Sequence, residues 1–154
     1  MAVYETSKSA SYGISYGPGQ ARQIITDCAI VAVTTAMLDN ANDDVGLLWV
    51  PKGAVIVGAK FHASDMDTNG SPALVWDIGD AADEDRLIAA ATTGQAAGST
   101  MTLATTGFLY KYTARTQIRA YVKTAAATGA AGTIYFSIEY FVDPEFSTTA
   151  LVAA

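Results

Sequence analysis

Two segments near the end of the chain alternate between apolar and polar residues with a period of two. The apolar face of the first segment, 116–123, consists of Ile118, Ala120 and Val122. That of the second, 133–142, consists of Ile134, Phe136, Ile138, Tyr140 and Val142. This alternation is typical of half-buried antiparallel strands, because successive side chains point to opposite sides of a sheet. The small-residue stretch 124–132 predicts a hairpin loop between them.

Six further β-prone segments complete the prediction of an all-β fold: 24–38, 45–50, 54–62, 73–78, 100–104 and 107–112. Eight strands separated by turn residues favour a jelly-roll-like sandwich of two sheets. An immunoglobulin-like sandwich is the alternative, but a single cysteine cannot supply its Cys…Trp…Cys pattern. One short helix is predicted over 80–91. Asp80 can cap it, and the helix dipole favours the acidic residues that follow.

The chain of 154 residues is predicted to form one domain, at 21–143, with an extended arm at 1–20 and a tail at 144–154. Glycine and proline in the arm argue against a regular helix. The first residues lack the basic and apolar regions of a signal peptide, so we expect a protein that is made and kept in the cytosol or released only by lysis. No apolar run reaches the length of about 18 residues that a membrane span requires.

Charge restricts the classes of partner. The net charge is −6, and the nine Lys and Arg are scattered, which disfavours nucleic-acid binding. Charged residues make up only 16% of the chain, below the usual ~25%. A charge-poor surface favours coverage by other subunits, while an ordinary surface on an Ala- and Thr-rich protein is the alternative.

The residues give little support for catalysis. His62 is the sole histidine and Cys28 the sole cysteine, so neither a nucleophile–base pair nor a zinc cluster is indicated. Cys28 lies in an apolar run and is expected to be buried. The acidic residues from Asp77 to Asp85 are explained by the predicted helix start rather than by glycoside hydrolysis. The chain is therefore predicted to be no enzyme and to need no cofactor.

One loop fits part of a calcium-binding pattern. Asp65, Asp67 and Asn69, followed by Gly70, match the first six positions of the loop D-x-[DN]-x-[DN]-G. The twelfth position is Trp76 instead of a bidentate Glu. A hairpin loop rich in turn residues has the same pattern. Asp65, Asp67 and Asn69 are thus candidate Ca²⁺ ligands, with the hairpin loop as the alternative.

The order of turns and apolar positions over 45–142 resembles small β-sandwich virion proteins of tailed bacteriophages. The matching motifs are W-V-P-K-G-A-V-I-V at 49–57, V-W-D-I-G-D-A-A-D-E-D-R-L-I at 75–88, T-G-F-L-Y-K-Y-T-A-R-T-Q-I-R-A-Y-V at 106–122 and G-T-I-Y-F-S-I-E-Y-F-V at 132–142. The resemblance implies a β-sandwich on the capsid surface, of the capsid decoration (cement) type, and brings no catalytic residues with it. Both termini lie outside the match.

The predicted function is to bind the lattice of the major capsid protein and stabilise it, with the protein acting as a homotrimer. Predicted contacts in the arm are Tyr4, Tyr12, Ile14 and Tyr16, since tyrosine gives a large contact area at small entropic cost. Further candidates on the polar side of 116–123 and just before it are Arg115, Arg119, Tyr121 and Lys123, where plain solvation is the alternative. The alternative function is a phage adhesion or carbohydrate-binding module, aided by Ca²⁺ at the 65–70 loop.

Overall fold

The computed structural model describes residues 23–100 and 102–143, and this part of the chain forms two four-stranded antiparallel sheets. The arm residues Tyr4, Tyr12, Ile14 and Tyr16 and the tail 144–154 lie outside the described residues. The strands are β1 (Ile25–Val33), β2 (Asp44–Val50), β3 (Ala54–Ala63), β4 (Val75–Asp80), β5 (Asp83–Ala91), β6 (Gly98–Thr100), β7 (Thr116–Thr124) and β8 (Gly132–Val142).

The strand order confirms the predicted two-sheet, jelly-roll architecture. The first sheet has the order β1-β8-β3-β6 and the second the order β2-β7-β4-β5. Strand β1 thus pairs with β8, β2 with β7, β3 with β6 and β4 with β5, as if one long hairpin had been wrapped into a sandwich. Within the described residues the only helical element is a single 3-10 turn, Thr35–Met37.

The helix predicted over 80–91 is wrong, because these residues form the end of β4, a tight turn and β5. Asp80 does accept hydrogen bonds from nearby backbone N–H groups, of Ala82 at 2.8 Å and Asp83 at 3.2 Å, but it does so in a turn. An aspartate in such a turn and an aspartate at a helix start make the same local bonds. The following residues then pair with β4, and burial of Leu87 and Ile88 in the sandwich stabilises the strand.

The predicted hairpin between the two alternating segments is also wrong. Both segments are strands, and their predicted apolar faces are largely buried. However, β7 lies between β2 and β4 in the second sheet, whereas β8 lies between β1 and β3 in the first. Residues 125–131 therefore cross from one sheet to the other. A period of two identifies a strand but carries no information about its partner.

Three other predicted strands are shorter, displaced or absent from the described strands. Instead of 100–104, the strand β6 covers Gly98–Thr100. Residues 107–112 form no regular strand, although part of this segment lies along β3: the N–H of Leu109 donates to the carbonyl of Ile56 at 2.8 Å, and that of Tyr112 to Ala54 at 2.9 Å. The first strand ends at Val33, before the 3-10 turn, rather than at residue 38.

The core lies between the two sheets and is built from their inward faces. Its largest fully buried side chains include Trp76, Tyr140, Phe61 and Phe136. The rings of Phe61, from the first sheet, and Trp76, from the second, meet edge to face with centroids 6.2 Å apart. Burial of these side chains from both sheets holds the sandwich together.

Candidate docking surface

The outer face of the second sheet carries charged side chains that pair with one another. Arg119 of β7 forms an ion pair with Asp44 of β2, which lies diagonally across from it in the sheet. The Nζ of Lys123 lies 2.9 Å from Oδ2 of Asp77 on β4. Hydrogen bonding to Asp77 raises the pKa of Lys123, which keeps this amine protonated. The predicted contact residues Arg119 and Lys123 therefore have partners within the chain.

Arg115 and Tyr121 are also engaged within the chain. The guanidinium of Arg115 lies over the ring of Trp49, 4.5 Å from its centroid. Tyr121 points to the outer face as predicted but is only 7% exposed, and burial raises the pKa of its hydroxyl. The structure thus brings Arg115, Arg119, Tyr121 and Lys123 to one side of the molecule. A role for them in contacting a partner stays a prediction.

The outer face of the first sheet, in contrast, presents exposed apolar side chains. Ile30 of β1 is 55% exposed and stands directly opposite Tyr135 of β8, which is 46% exposed. Cys28 lies beside them on the same face of β1, opposite Ser137. We call Cys28, Ile30, Tyr135 and Ser137, with His62 of β3, the outer patch. The expectation that Cys28 is buried is wrong: it is exposed, since the inward positions of β1 belong to its neighbours Asp27 and Ala29.

A shallow depression of about 360 Å³ lies within the outer patch. It exists because small side chains, Cys28, Ser137 and Ser99, stand among larger ones. Its rim is ordered by contacts between strands: Nδ1 of His62 is 2.8 Å from Oγ of Ser99, and the rings of His62 and Tyr135 are 5.5 Å apart. A surface of this kind, apolar in the middle and polar at its edge, has the character of a protein-binding surface.

Charge at the edge of the outer patch is balanced. The Nζ of Lys60 on β3 lies 2.7 Å from Oε1 of Glu139 on β8.

The outer patch was missed by sequence reasoning, which took Ile30 as part of an apolar run. The available signal was an isoleucine and a tyrosine, Ile30 and Tyr135, at the outward positions of two alternating strands.

The loop with the calcium-like pattern has its carboxylate engaged by the backbone. Asp67 is 1% exposed. Its Oδ2 accepts hydrogen bonds from the N–H groups of Ala73 at 2.7 Å, Leu74 at 3.0 Å and Ala127 at 2.9 Å, and its Oδ1 from Thr128 at 2.9 Å. Burial alone would raise the pKa of this carboxyl, but the backbone donors outweigh burial and hold the pKa far below its usual range.

Asp65 and Asn69 are likewise used inside the loop. Oδ1 of Asp65 accepts from the N–H of Asp67, and the amide of Asn69 donates to Oγ1 of Thr128 at 3.0 Å. Across residues 23–100 and 102–143 no three His, Cys, Asp or Glu side chains group as metal ligands. Through its hydrogen bonds to both loops, Asp67 links the 64–74 loop to the 125–131 loop. Ca²⁺ binding by Asp65, Asp67 and Asn69 stays a prediction.

Comparison with known proteins points to phage capsids. No known protein-family model matches the chain, and no curated protein matches it. Among solved structures, a chain of the capsid asymmetric unit of cyanophage Pam1 superposes with a TM-score of 0.66 and 26% identity, covering 90% of this chain and 99% of that one. A chain of the capsid of Ralstonia phage GP4 gives 0.68 and 26%, over 92% and 99%.

A third match, in the acidic stable capsid structure of Helicobacter pylori bacteriophage KHP30, has a TM-score of 0.50 and 15% identity, covering 81% of this chain and 95% of that chain, and shows the fold alone. The first two matches cover nearly all of both partners, so those capsid chains are close to this one in length. They support a structural rather than a catalytic role. Over the described residues no helix is long and apolar enough to cross a membrane.

Proposed function

We propose that this chain is a capsid decoration (cement) protein of a tailed phage, which binds the assembled lattice of the major capsid protein and stabilises it. The observation that carries the proposal is the likeness, over 90% and 92% of this chain and at 26% identity, to capsid chains of similar size from two phages. The exposed apolar outer patch supports it as well, because a patch of this kind suits a protein partner.

The protein stabilises the shell by binding to it, following the law of mass action. A protein that binds only the assembled shell stabilises each site by RT ln(1 + [L]/Kd). If the protein is a homotrimer, three modest contacts held together act at high effective concentration, so avidity exceeds the affinity of one contact. No covalent step and no cofactor enter this mechanism.

We assign the contacts with the shell to two main regions and one weaker set. The arm residues Tyr4, Tyr12, Ile14 and Tyr16 are the first, as the sequence predicts. The outer patch is the second. A weaker third set consists of Arg115, Arg119, Tyr121 and Lys123, because the three charged side chains already have partners within the chain and Tyr121 is largely buried.

The experiment is reconstitution on shells of the major capsid protein that lack this protein. Purified protein is added, free protein is removed by sedimentation, and occupancy is measured by cryo-electron microscopy. We expect ordered density at repeated lattice sites and a higher temperature of shell disruption. Shells that stay bare at saturating protein would refute the decoration role.

The adhesion alternative is tested separately. A glycan array is probed with and without a chelator, together with the Asp67→Ala variant. Glycan binding by the wild-type protein that is lost with the chelator and is also lost in the Asp67→Ala variant would favour adhesion over decoration. Among the described residues, the use of the Asp67 oxygens by backbone N–H groups gives the calcium-assisted form no support.

A further inference from the structure

One aromatic side chain of the 102–115 loop, which leads into β7, is exposed to solvent. Phe108 is 57% exposed. Exposure of an apolar side chain of this size is unfavourable, because burial of its surface would release the surrounding water. Single exposed apolar residues are nevertheless common, so exposure alone assigns no role to Phe108. The backbone around Phe108 supplies the further evidence.

The backbone on both sides of Phe108 is fixed by hydrogen bonds. The N–H of Phe108 donates to the carbonyl of Ala104 at 3.2 Å, which closes a turn within the loop. The N–H of Leu109 donates to the carbonyl of Ile56 at 2.8 Å, and the N–H of Ile56 donates to the carbonyl of Tyr110 at 3.0 Å. The residues that follow Phe108 are therefore attached to β3, and the ring is displayed from a fixed backbone.

The conformation of this backbone is strained and closely packed. Leu109 has a φ of 59°, in the left-handed region that residues other than glycine seldom adopt. A Cβ at Gly107 would lie 2.3 Å from the carbonyl oxygen of Arg86, so the loop lies directly against β5. Backbone strain persists where the surrounding contacts enforce it, and it is concentrated at sites of binding and catalysis. The strained Leu109 follows directly after the exposed Phe108, which points to a binding role for the ring.

The strand beside Phe108 carries excess negative charge. The end of β4 and the start of β5 contribute four carboxylates, and Arg86 pairs with two of them. Glu84 is exposed. Burial and a hydrogen bond with Asp85 raise the pKa of Asp83, as is expected where carboxyl groups are crowded. Because the loop packs against this strand, a partner that covers Phe108 also meets this negative charge.

We propose that Phe108 is an anchor residue that inserts into an apolar pocket of the major capsid protein shell, with Lys or Arg side chains at the rim of the pocket. This inference rests on the proposed function and adds one contact to those of the arm and the outer patch. An aromatic side chain buried at the centre of a contact is a common hot spot, and a loop that is fixed before binding loses little entropy. A symmetric contact between two copies is disfavoured, because it would bring two negatively charged surfaces together.

The experiment measures the affinity of full-length variants for shells of the major capsid protein that lack this protein. Phe108→Ser is expected to bind roughly thirtyfold more weakly than wild type, the loss typical of an aromatic hot spot. Thr105→Ser, at another exposed position of the same loop, should bind like wild type. Both variants should unfold at the wild-type temperature, because neither side chain is buried. Wild-type affinity of Phe108→Ser would overturn the anchor role and leave the decoration role intact, whereas shells left bare by wild type would refute both.

A photoreactive side chain identifies the partner of the loop. With p-benzoylphenylalanine at position 108, irradiation of decorated shells should join this chain to the major capsid protein. Adducts formed only within the chain or only with a second copy would overturn the proposal, as would the absence of any adduct.

A charge variant tests the basic rim of the pocket. Glu84→Gln should weaken shell binding severalfold at low salt, because it removes an exposed negative charge beside the loop. This difference from wild type should vanish at about 1 M salt, where charges are screened beyond about 3 Å. The loss of affinity in Phe108→Ser should persist there, since it does not depend on charge. Equal affinity of Glu84→Gln and wild type at low salt would overturn the basic rim.

Discussion

The Nε of Arg86 donates a hydrogen bond to Oδ2 of Asp80 over 2.6 Å, between two side chains that are only 10% and 4% exposed. The hydroxyl of Tyr112 donates to the same carboxylate oxygen at 3.0 Å. Tyr110 places its ring 3.8 Å from the Arg86 guanidinium carbon. Together these contacts hold the 102–115 loop against the turn between β4 and β5.

Loss of one partner in this buried pair should be costly. Asp80→Ala is expected to lower the free energy of unfolding by about 3–5 kcal/mol, because it leaves the Arg86 charge buried without its partner. The matched control is Lys60→Ala, which breaks the exposed pair with Glu139 and should cost less than about 1 kcal/mol. Both are measured by chemical denaturation at neutral pH. Equal losses would show that burial of the Arg86 pair is unimportant.

The depressed pKa of Asp67 predicts a specific loss of stability in acid. A carboxyl whose pKa is lower in the folded state stabilises the fold above its unfolded pKa, about 3.9. That contribution should fall as the pH drops below about 4 towards the folded pKa. Asp67→Asn should remove it, lowering the free energy of unfolding at pH 7 by about 3 kcal/mol.

The measurement is the free energy of unfolding from pH 7 down to pH 2 for both proteins. The stability difference between wild type and Asp67→Asn should shrink as the pH falls. A difference that stays constant across this range would contradict the assigned role of the Asp67 carboxylate.

Any residue larger than glycine at position 107 is predicted to destabilise the fold. A Cβ at this position would lie 2.3 Å from the carbonyl oxygen of Arg86, which belongs to the backbone of β5 and cannot yield cheaply. Gly107→Ala should cost about 2 kcal/mol through the forced shift. Gly70→Ala is the control, because nothing lies within 4 Å of its Cβ position. Thermal unfolding of the two variants compares them directly.

Removal of residues 1–18 is predicted to leave folding of the domain intact and to abolish its binding to the capsid shell. A chain lacking residues 1–18 is expected to keep the wild-type circular dichroism spectrum, since all eight strands of the described sandwich lie within residues 25–142. It should fail to bind shells in the reconstitution assay. Wild-type occupancy by the truncated protein would show that Tyr4, Tyr12, Ile14 and Tyr16 are not required.

Period-two alternation was a sufficient guide to the strands at 116–123 and 133–142, because burial of one face of a sheet leaves that signature directly. It was insufficient for the partners of those strands, which depend on how the whole chain wraps. The error at Asp80 has a local origin, since a turn and a helix start recruit the same side-chain bonds. In both cases tertiary pairing decided what local sequence could not.

In the candidate surfaces, too, the local sequence predicts the direction of a side chain but not its partner. The outward direction of Arg119 and Lys123 follows from alternation alone. Their partners, Asp44 on β2 and Asp77 on β4, are distant in sequence and adjacent only through the sheet order. Exposure of Cys28 and Ile30 likewise depends on which face of β1 packs against the second sheet.

Because Ile25 pairs with Tyr140, the start of β1 and the end of β8 lie at the same end of the sandwich. The polypeptide enters β1 and leaves β8 at one pole, while the loops around Gly70 and Gly129 cap the other. A fluorescent reporter or antigen attached directly before Ile25 or directly after Asp143 would therefore be carried at the entry pole. Foreign peptides spliced in at Gly70 would be displayed at the far pole, clear of both fusion points.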